Sequence, residues 1–140
     1  MVKIMIRMLF VIIGILLMLN ACSSGDKLTQ LGGKEWNVTS LLGKSLNADE
    51  ITKGLPSLNF SENGKLFGST GCNNFTGSYK LDGTKLSLEP GAMTKMFCPG
   101  STEQDFLKAI NQVTNIKMDE NTLNLLNGTN TVMSLETKTK

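Results

Sequence analysis

The chain contains no histidine, and this absence excludes several kinds of chemistry. Without an imidazole there is no Ser–His or Cys–His nucleophile pair, no imidazole metal ligand and no side chain that ordinarily titrates near neutral pH. Carboxylates or a lysine could still act as acids and bases, but the residue type that most often does this work is missing. We therefore expect a protein that is not an enzyme and that holds no metal or cofactor.

An excess of charge of one sign is also missing. The 140 residues include 14 Lys and Arg against 12 Asp and Glu, which gives a net charge of +2. A nucleic-acid-binding domain would carry a clustered basic face, so no nucleic-acid partner is expected. The length fits one small domain, which we expect to be a monomer.

Residues 1–21 have the pattern of an export signal. Lys3 and Arg7 lie at the start of this segment, and they precede a twelve-residue apolar run at 8–19. That run is shorter than the about 20 apolar residues needed to span a bilayer, and polar residues follow it at once. We predict a cleaved signal peptide, with an uncleaved membrane anchor as the alternative.

The end of this segment, Leu19-Asn20-Ala21-Cys22, resembles the lipobox of bacterial lipoproteins. In that family the cysteine thiol receives a diacylglyceryl group and the peptide is cut just before it. Asn20 departs from the small or hydroxylated residue that is commonest there. The resemblance implies that Cys22 is lipidated and that the membrane is a partner through covalent lipid, since two or three acyl chains anchor a protein stably.

The lipobox also predicts the location, which is the bacterial cell envelope. Ser23 resembles the residue that directs enterobacterial lipoproteins to the outer membrane rather than the inner membrane. Loss of Lys3 and Arg7 with the signal leaves twelve basic and twelve acidic residues, so the lipid and not charge must hold the protein on the membrane.

The mature chain divides into residues 22–34, a small and polar stretch that predicts a flexible tether, and a domain at 35–137. Short alternating runs are separated by turn sequences, which predicts antiparallel hairpins. One amphipathic helix is predicted at about 101–112, after Pro99 and Gly100. The predicted fold class is α+β, a small antiparallel β-barrel-like domain of seven or eight strands with one helix. The turns lie at Asn63-Gly64, Asp82-Gly83, 119–121 and 127–130.

Within this domain the order and spacing of many residues resemble the META domain family, which includes HslJ-like bacterial lipoproteins. Phe97 departs from the family pattern, in which a small residue often precedes the cysteine. The resemblance implies a compact β-rich fold with one helix, no agreed enzymatic activity, and an association with heat shock and stress tolerance. The matching residues are Trp36, Pro56 to Phe60, Gly64, Gly68, Gly71, Cys72, Asn73, Phe75, Gly77, Tyr79, Met93, Thr94, Met96, Cys98, Glu103, Phe106, Leu123 and Leu125.

The glycine-rich run within this pattern has two interpretations. Glycines at 68, 71 and 77 suggest bulges or close approach of backbones, with asparagines bonding nearby main-chain groups, which describes a structural corner. Alternatively Gly71, Asn73 and Asn74 form a surface recognition loop on a rigid scaffold.

Cys72 and Cys98 are the cysteines that remain once Cys22 carries lipid. An exported domain lies in an oxidising compartment, so a disulfide between them is favoured. Two buried thiols are the first alternative. A soft-metal site that adds Met93 and Met96 is the second.

Three classes of function remain open from the sequence. The leading hypothesis is a non-catalytic, lipid-anchored envelope protein that supports envelope integrity or stress tolerance by contacting an envelope protein or a small ligand. The second is a small-ligand or lipid-binding barrel, which requires an interior cavity. The third is an assembly helper or inhibitor that pairs an exposed strand edge with a partner.

Overall fold

The structure, a computed structural model, describes residue 3, residues 29–51 and residues 53–138. Cys22 and, apart from residue 3, the predicted signal peptide lie outside the described residues. None of the helices in the described ranges is both long and apolar enough to cross a bilayer.

Eight of the described strands close into an antiparallel barrel. Neighbours along the chain pair in sequence, and β1 pairs with β9 as well as with β3, which completes the ring. The short strand β2 pairs with β1 outside the ring. The antiparallel barrel predicted from the turns is confirmed, and β2 is an addition to it. The strands are β1 (Glu35–Leu41), β2 (Lys44–Ser45), β3 (Ser57–Phe60), β4 (Lys65–Ser69), β5 (Asn74–Asp82), β6 (Lys85–Met93), β7 (Asn115–Met118), β8 (Thr122–Asn127) and β9 (Asn130–Thr137).

The join between β6 and β7 is the shortest in the ring. These strands share the single register pair Lys85 and Asn115, and helix α1 (Thr102–Ile110) lies in the connection between them. The helix lies within the predicted range of 101–112. It buries Phe106, Ala109 and Ile110, and the Phe106 ring lies 5.6 Å from the ring of Phe75. A 3-10 helix at Ala48–Glu50 was not predicted.

The interior of the barrel is filled by side chains. The rings of Trp36, Phe60, Phe75 and Phe106 belong to one buried cluster with the aliphatic residues of alternate strand positions. The largest side chains that are essentially fully buried are Trp36, Phe106, Leu31, Leu41, Leu58, Leu66, Ile110, Leu123, Leu125, Met133, Leu135 and Val38.

Contacts of the buried core extend to Leu31, ahead of β1. Leu31 has no exposed surface, and its carbonyl oxygen accepts a hydrogen bond of 3.0 Å from Nε1 of Trp36. Gly32 forms a bridge with Phe60. A buried indole N–H requires an acceptor, and the preceding chain supplies it. The residues just before β1 thus contact the barrel, whereas residues 22–28 of the predicted tether lie outside the described residues.

Two glycines allow strands to approach closely, as the sequence predicted. A Cβ atom on Gly68 would overlap the carbonyl oxygen of Ser57, and one on Gly77 would overlap that of Glu89. The register of β5 against β6 shifts beside Gly77, which marks a bulge there. Backbone oxygen atoms inside a sheet cannot move aside cheaply, so both positions require glycine.

We expect Gly77→Ala to lower the free energy of unfolding by about 2 kcal/mol, the cost of overpacking. The loss of backbone freedom in the unfolded chain favours alanine by about 0.4–1 kcal/mol and does not offset this strain. Urea unfolding of both proteins measures the difference. Ser78→Ala, at the neighbouring exposed position, is the control and should shift the free energy by less than about 0.5 kcal/mol. Equal midpoints for Gly77→Ala and wild type would contradict the close approach.

Candidate functional site

Two loops meet at one end of the barrel and form the candidate site. One loop, at 70–73, follows β4, and the other, at 94–101, follows β6. Because β1, β4 and β6 run in the same direction, both loops lie at the end where β1 finishes. The chain enters β1 at the opposite end, beside Leu31.

The side chain of Asn73 holds these two loops together. It is 1 % exposed, and its Oδ1 accepts hydrogen bonds from the Met96 N–H at 2.7 Å and from Oγ1 of Thr94 at 2.9 Å. Its Nδ2 donates to the Met96 carbonyl at 3.0 Å and to the Glu103 carboxylate at 2.8 Å. An amide side chain has two donors and two acceptor lone pairs, so Asn73 uses its full capacity inside the protein.

Glu103 connects this bonding to the helix. Its Oε2 accepts from Oγ1 of Thr70 at 2.6 Å as well as from Asn73, and the Thr70 oxygen accepts from the Asn73 N–H at 2.9 Å. Glu103 stands in the first turn of α1, where a negative charge is favourable to the helix dipole. We call Thr70, Asn73 and Glu103 together the clamp.

A disulfide reinforces the clamp. The structure joins Cys72 to Cys98, with Cα atoms 5.9 Å apart, which is the pairing that the sequence favoured. Both sulfur atoms are consumed in this bond, so two free thiols and a soft-metal site with Met93 and Met96 are ruled out in this state. A cavity of about 30 Å³ beside the disulfide has room for one water molecule.

The three residues of the predicted recognition loop have different environments. Gly71 and Asn73 are buried, whereas Asn74 is exposed. Gly71 has a φ of +86°, and a Cβ there would lie 3.2 Å from Ile51. The loop thus has the features of a structural corner, and a recognition role for its exposed residue stays a prediction.

The loop after β6 presents its apolar side chains to solvent. We call residues 95–97 the tip. Phe97 is 94 % exposed and Met96 is 45 % exposed, although the main chain of Met96 is bonded to the clamp. In the sequence Phe97 was notable only as a departure from the family pattern. An aromatic residue between two fixed positions in a loop is the signal that could have identified it.

Other surfaces offer open grooves. One, of about 690 Å³, is lined by Lys34, Glu35 and Phe67 among others, and one of about 710 Å³ lies on the outer face of β7, β8 and β9.

The Tyr79 hydroxyl donates a hydrogen bond of 2.7 Å to the Ser61 carbonyl. Burial raises the pKa of Tyr79, and the negative charge of Glu62 raises it further, so the hydroxyl stays protonated. Within the described ranges, no three His, Cys, Asp or Glu side chains group as a metal site.

The geometry is matched by a known family. The family model of the META domain matches residues 28–140, which is most of the chain. The chain belongs to the META domain family. The match starts before the predicted domain boundary at residue 35, in agreement with the burial of Leu31. The META assignment made from the residue pattern is confirmed.

Solved structures share the fold of this META domain. A crystal structure of a DUF4847 family protein from Bacteroides vulgatus superimposes with a TM-score of 0.59 and 20 % identity, over 76 % of this chain and 93 % of that one. A protein from Burkholderia xenovorans solved by NMR gives a TM-score of 0.60 and 20 % identity, over 82 % of this chain and 88 % of that one. A further NMR structure gives a TM-score of 0.61 and 24 % identity, over 78 % of this chain and 92 % of that one. Among curated proteins no significant match is found.

We expect loss of the disulfide to destabilise the META domain strongly. The bond closes a loop of 26 residues, for which the chain-entropy model gives about 3–4 kcal/mol. The double variant Cys72→Ala and Cys98→Ala should lose this free energy of unfolding in a urea titration. In reductant, the free energy of unfolding of the wild-type protein should approach that of the double variant. Reductant should leave the value for the double variant unchanged. A loss below about 1 kcal/mol would contradict a stabilising disulfide.

Asn73→Asp tests the clamp through charge. It replaces the amide donor facing Glu103 by a carboxylate, and we expect a loss of about 3 kcal/mol at pH 7 because an uncompensated charge is buried. Burial and the neighbouring charge raise the pKa of the introduced carboxyl group in the folded state, so its penalty applies at neutral pH and diminishes as the pH falls toward about 4.

The matched control for this prediction is Asn74→Asp, which makes the same chemical change at the exposed neighbouring position. It should alter stability at pH 7 by less than about 0.5 kcal/mol. Thermal unfolding of both variants at several pH values makes the comparison. Equal effects of the two substitutions would show that the Asn73 amide does not hold the loops.

Proposed function

We propose that the protein is a lipid-anchored envelope protein whose META domain is a non-catalytic binding module that supports stress tolerance. One observation carries the proposal: the polar side chains of the candidate site are bonded to one another, so the site presents the exposed tip rather than reactive groups. The carboxylate of Glu103 and the amide of Asn73 are the side-chain groups there most able to contact a substrate, and they share a 2.8 Å hydrogen bond.

The anchoring part of the proposal is supported by the sequence around Cys22. Six residues separate Cys22 from residue 29, the first residue of the described range 29–51. The seven residue steps from Cys22 to residue 29 span at most about 25 Å when fully extended. A lipid on Cys22 would therefore hold the end of the barrel that contains Leu31 close to the bilayer.

A binding role at the outer surface is favoured over a ligand inside the barrel. A ligand-binding barrel of this size needs an interior cavity of several hundred Å³. Here Trp36 and Phe106 belong to the buried core with no exposed surface, and Phe60 packs edge-on against Tyr79 with ring centroids 5.1 Å apart. These rings fill interior volume that the second hypothesis requires for a ligand.

Strand-edge pairing is less favoured because the edges are short or blocked. The edge strand β2 has two residues, one of them Lys44. The part of β6 beyond Lys85 contains Pro90, which has no N–H to donate. The facing edge of β7 beyond Asn115 is only three residues long, and ring closure through β1 and β9 pairs the ends of the sheet.

We expect Cys22→Ser to abolish membrane attachment. Lipid on the thiol is the proposed anchor, and a serine hydroxyl is not a substrate of that modification in the lipoprotein family. Cell fractionation and intact mass measurement give the location and the lipid mass. Ser23→Ala, which keeps the thiol, is the control and should stay lipidated and membrane-bound. A wild-type protein without lipid mass, or a Cys22→Ser protein that remains anchored, would contradict the proposal.

A further inference from the structure

We propose that the tip, residues 95–97, is a docking surface for a folded envelope protein that offers an apolar pocket bordered by carboxylates. This inference rests on the proposed function, because it requires the protein to act in the envelope through a contact. It goes further by assigning the surface and the chemistry of the partner.

The first argument is the exposure of the side chains. Phe97 leaves 94 % of its surface in water and Met96 leaves 45 %. Single exposed apolar residues are common on proteins and carry no meaning alone. Here two are adjacent in one loop, and the aromatic ring has the shape and apolar area of a typical interface anchor.

The second argument is that the backbone of the tip is fixed. The Asn73 side chain bonds both the N–H and the carbonyl of Met96, at 2.7 and 3.0 Å. On the other side of Phe97, Cys98 is bonded to Cys72. An exposed anchor on a rigid loop loses little conformational entropy when it binds, which raises affinity for a given contact area. A buried amide and a disulfide thus both hold a loop whose central side chain, Phe97, is exposed to water.

The third argument is charge. Lys95 is exposed within the tip, and Nζ of Lys53 lies 3.1 Å from Sδ of Met96. Residues 94–100 include no Asp or Glu. An apolar centre with basic neighbours is complementary to an apolar pocket with carboxylates at its rim.

The fourth argument is orientation, and it favours a protein over a bilayer. The tip follows β6 and lies at the end of the barrel opposite to Leu31, where the chain enters. Since Cys22 and residue 29 can lie at most about 25 Å apart, a lipid on Cys22 would hold the Leu31 end near the bilayer. In the anchored protein the tip would therefore lie at the end of the barrel farther from the attachment point, where proteins of the envelope can reach it.

The test places a photo-crosslinking side chain at the tip of the full-length protein in its own cells. Phe97→p-benzoylphenylalanine changes a side chain that is almost fully exposed, so folding should be retained, and the disulfide is checked on non-reducing gels. The matched control is Lys80→p-benzoylphenylalanine on the exposed face of β5. We expect one discrete protein adduct from position 97, absent from position 80, and at least about tenfold weaker when Lys95→Glu is added.

Mass spectrometry of the adduct then identifies the crosslinked peptide, which should lie at an apolar pocket with Asp or Glu at its rim. The purified partner should bind the mature protein and lose about thirtyfold in affinity with Phe97→Ser, the effect of removing an interface anchor. The Phe97→Ser protein should unfold at the same urea concentration as wild type, which separates binding from folding.

Other outcomes overturn the proposal. An adduct of twice the chain mass would assign the tip to self-association, and adducts with lipid alone would assign it to a bilayer. No adduct, or equal adducts at positions 97 and 80, would show that the tip docks nothing. Fractionation of the same cells keeps the two proposals apart: a lipidated, membrane-bound protein without the adduct refutes docking alone, whereas an unlipidated, soluble protein refutes the proposed function.

Discussion

The amide of Asn73 is the interaction on which the functional end of this domain depends. It is buried, and each of its hydrogen-bonding positions is used by the loop after β6 or by Glu103 of the helix. Removing it would leave buried main-chain groups and a carboxylate without partners, and such groups cost more to leave unpaired than a bond contributes when formed. The helix, the two loops and the disulfide therefore form one cooperative unit.

This unit compensates for a weakness in the barrel. Hairpins join most neighbouring strands, but β6 and β7 share one register pair and are connected through α1. The helix is held at its start by Glu103 and along its length by Phe106 and Ile110 in the core. Fixing the start of the helix also fixes the loop before it, so the same bonds that complete the fold hold the tip in position.

Much of the fold could be predicted from the sequence because its signals are local. Alternation of apolar residues and dipeptides such as Asn63-Gly64 and Asp82-Gly83 specify strands and turns within a few residues of chain. The helix was found from its apolar stripe. The contact of Leu31 with the barrel was not predicted, because the carbonyl that accepts from Trp36 belongs to a segment whose composition is typical of a linker.

The candidate site was predicted only in part because its contacts are distant in sequence. Asn73 and Glu103 are 30 positions apart, and no local pattern shows that the first of two adjacent asparagines is buried whereas the second is exposed. The disulfide could be predicted because an exported domain lies in an oxidising compartment and only two cysteines remain after Cys22. The exposure of Phe97 was not, since it follows from the direction in which a clamped loop presents its side chain.

The most direct test of the clamp is amide hydrogen exchange of the loop after β6, followed by NMR. The Met96 N–H donates to the Asn73 side chain, whereas the Phe97 N–H has no acceptor among the described residues. The structure predicts that the Met96 amide exchanges at least about a hundredfold more slowly than the Phe97 amide, at a rate near that of the barrel strands. Fast exchange at both amides would show that the loop is not held and would contradict a pre-organised docking tip.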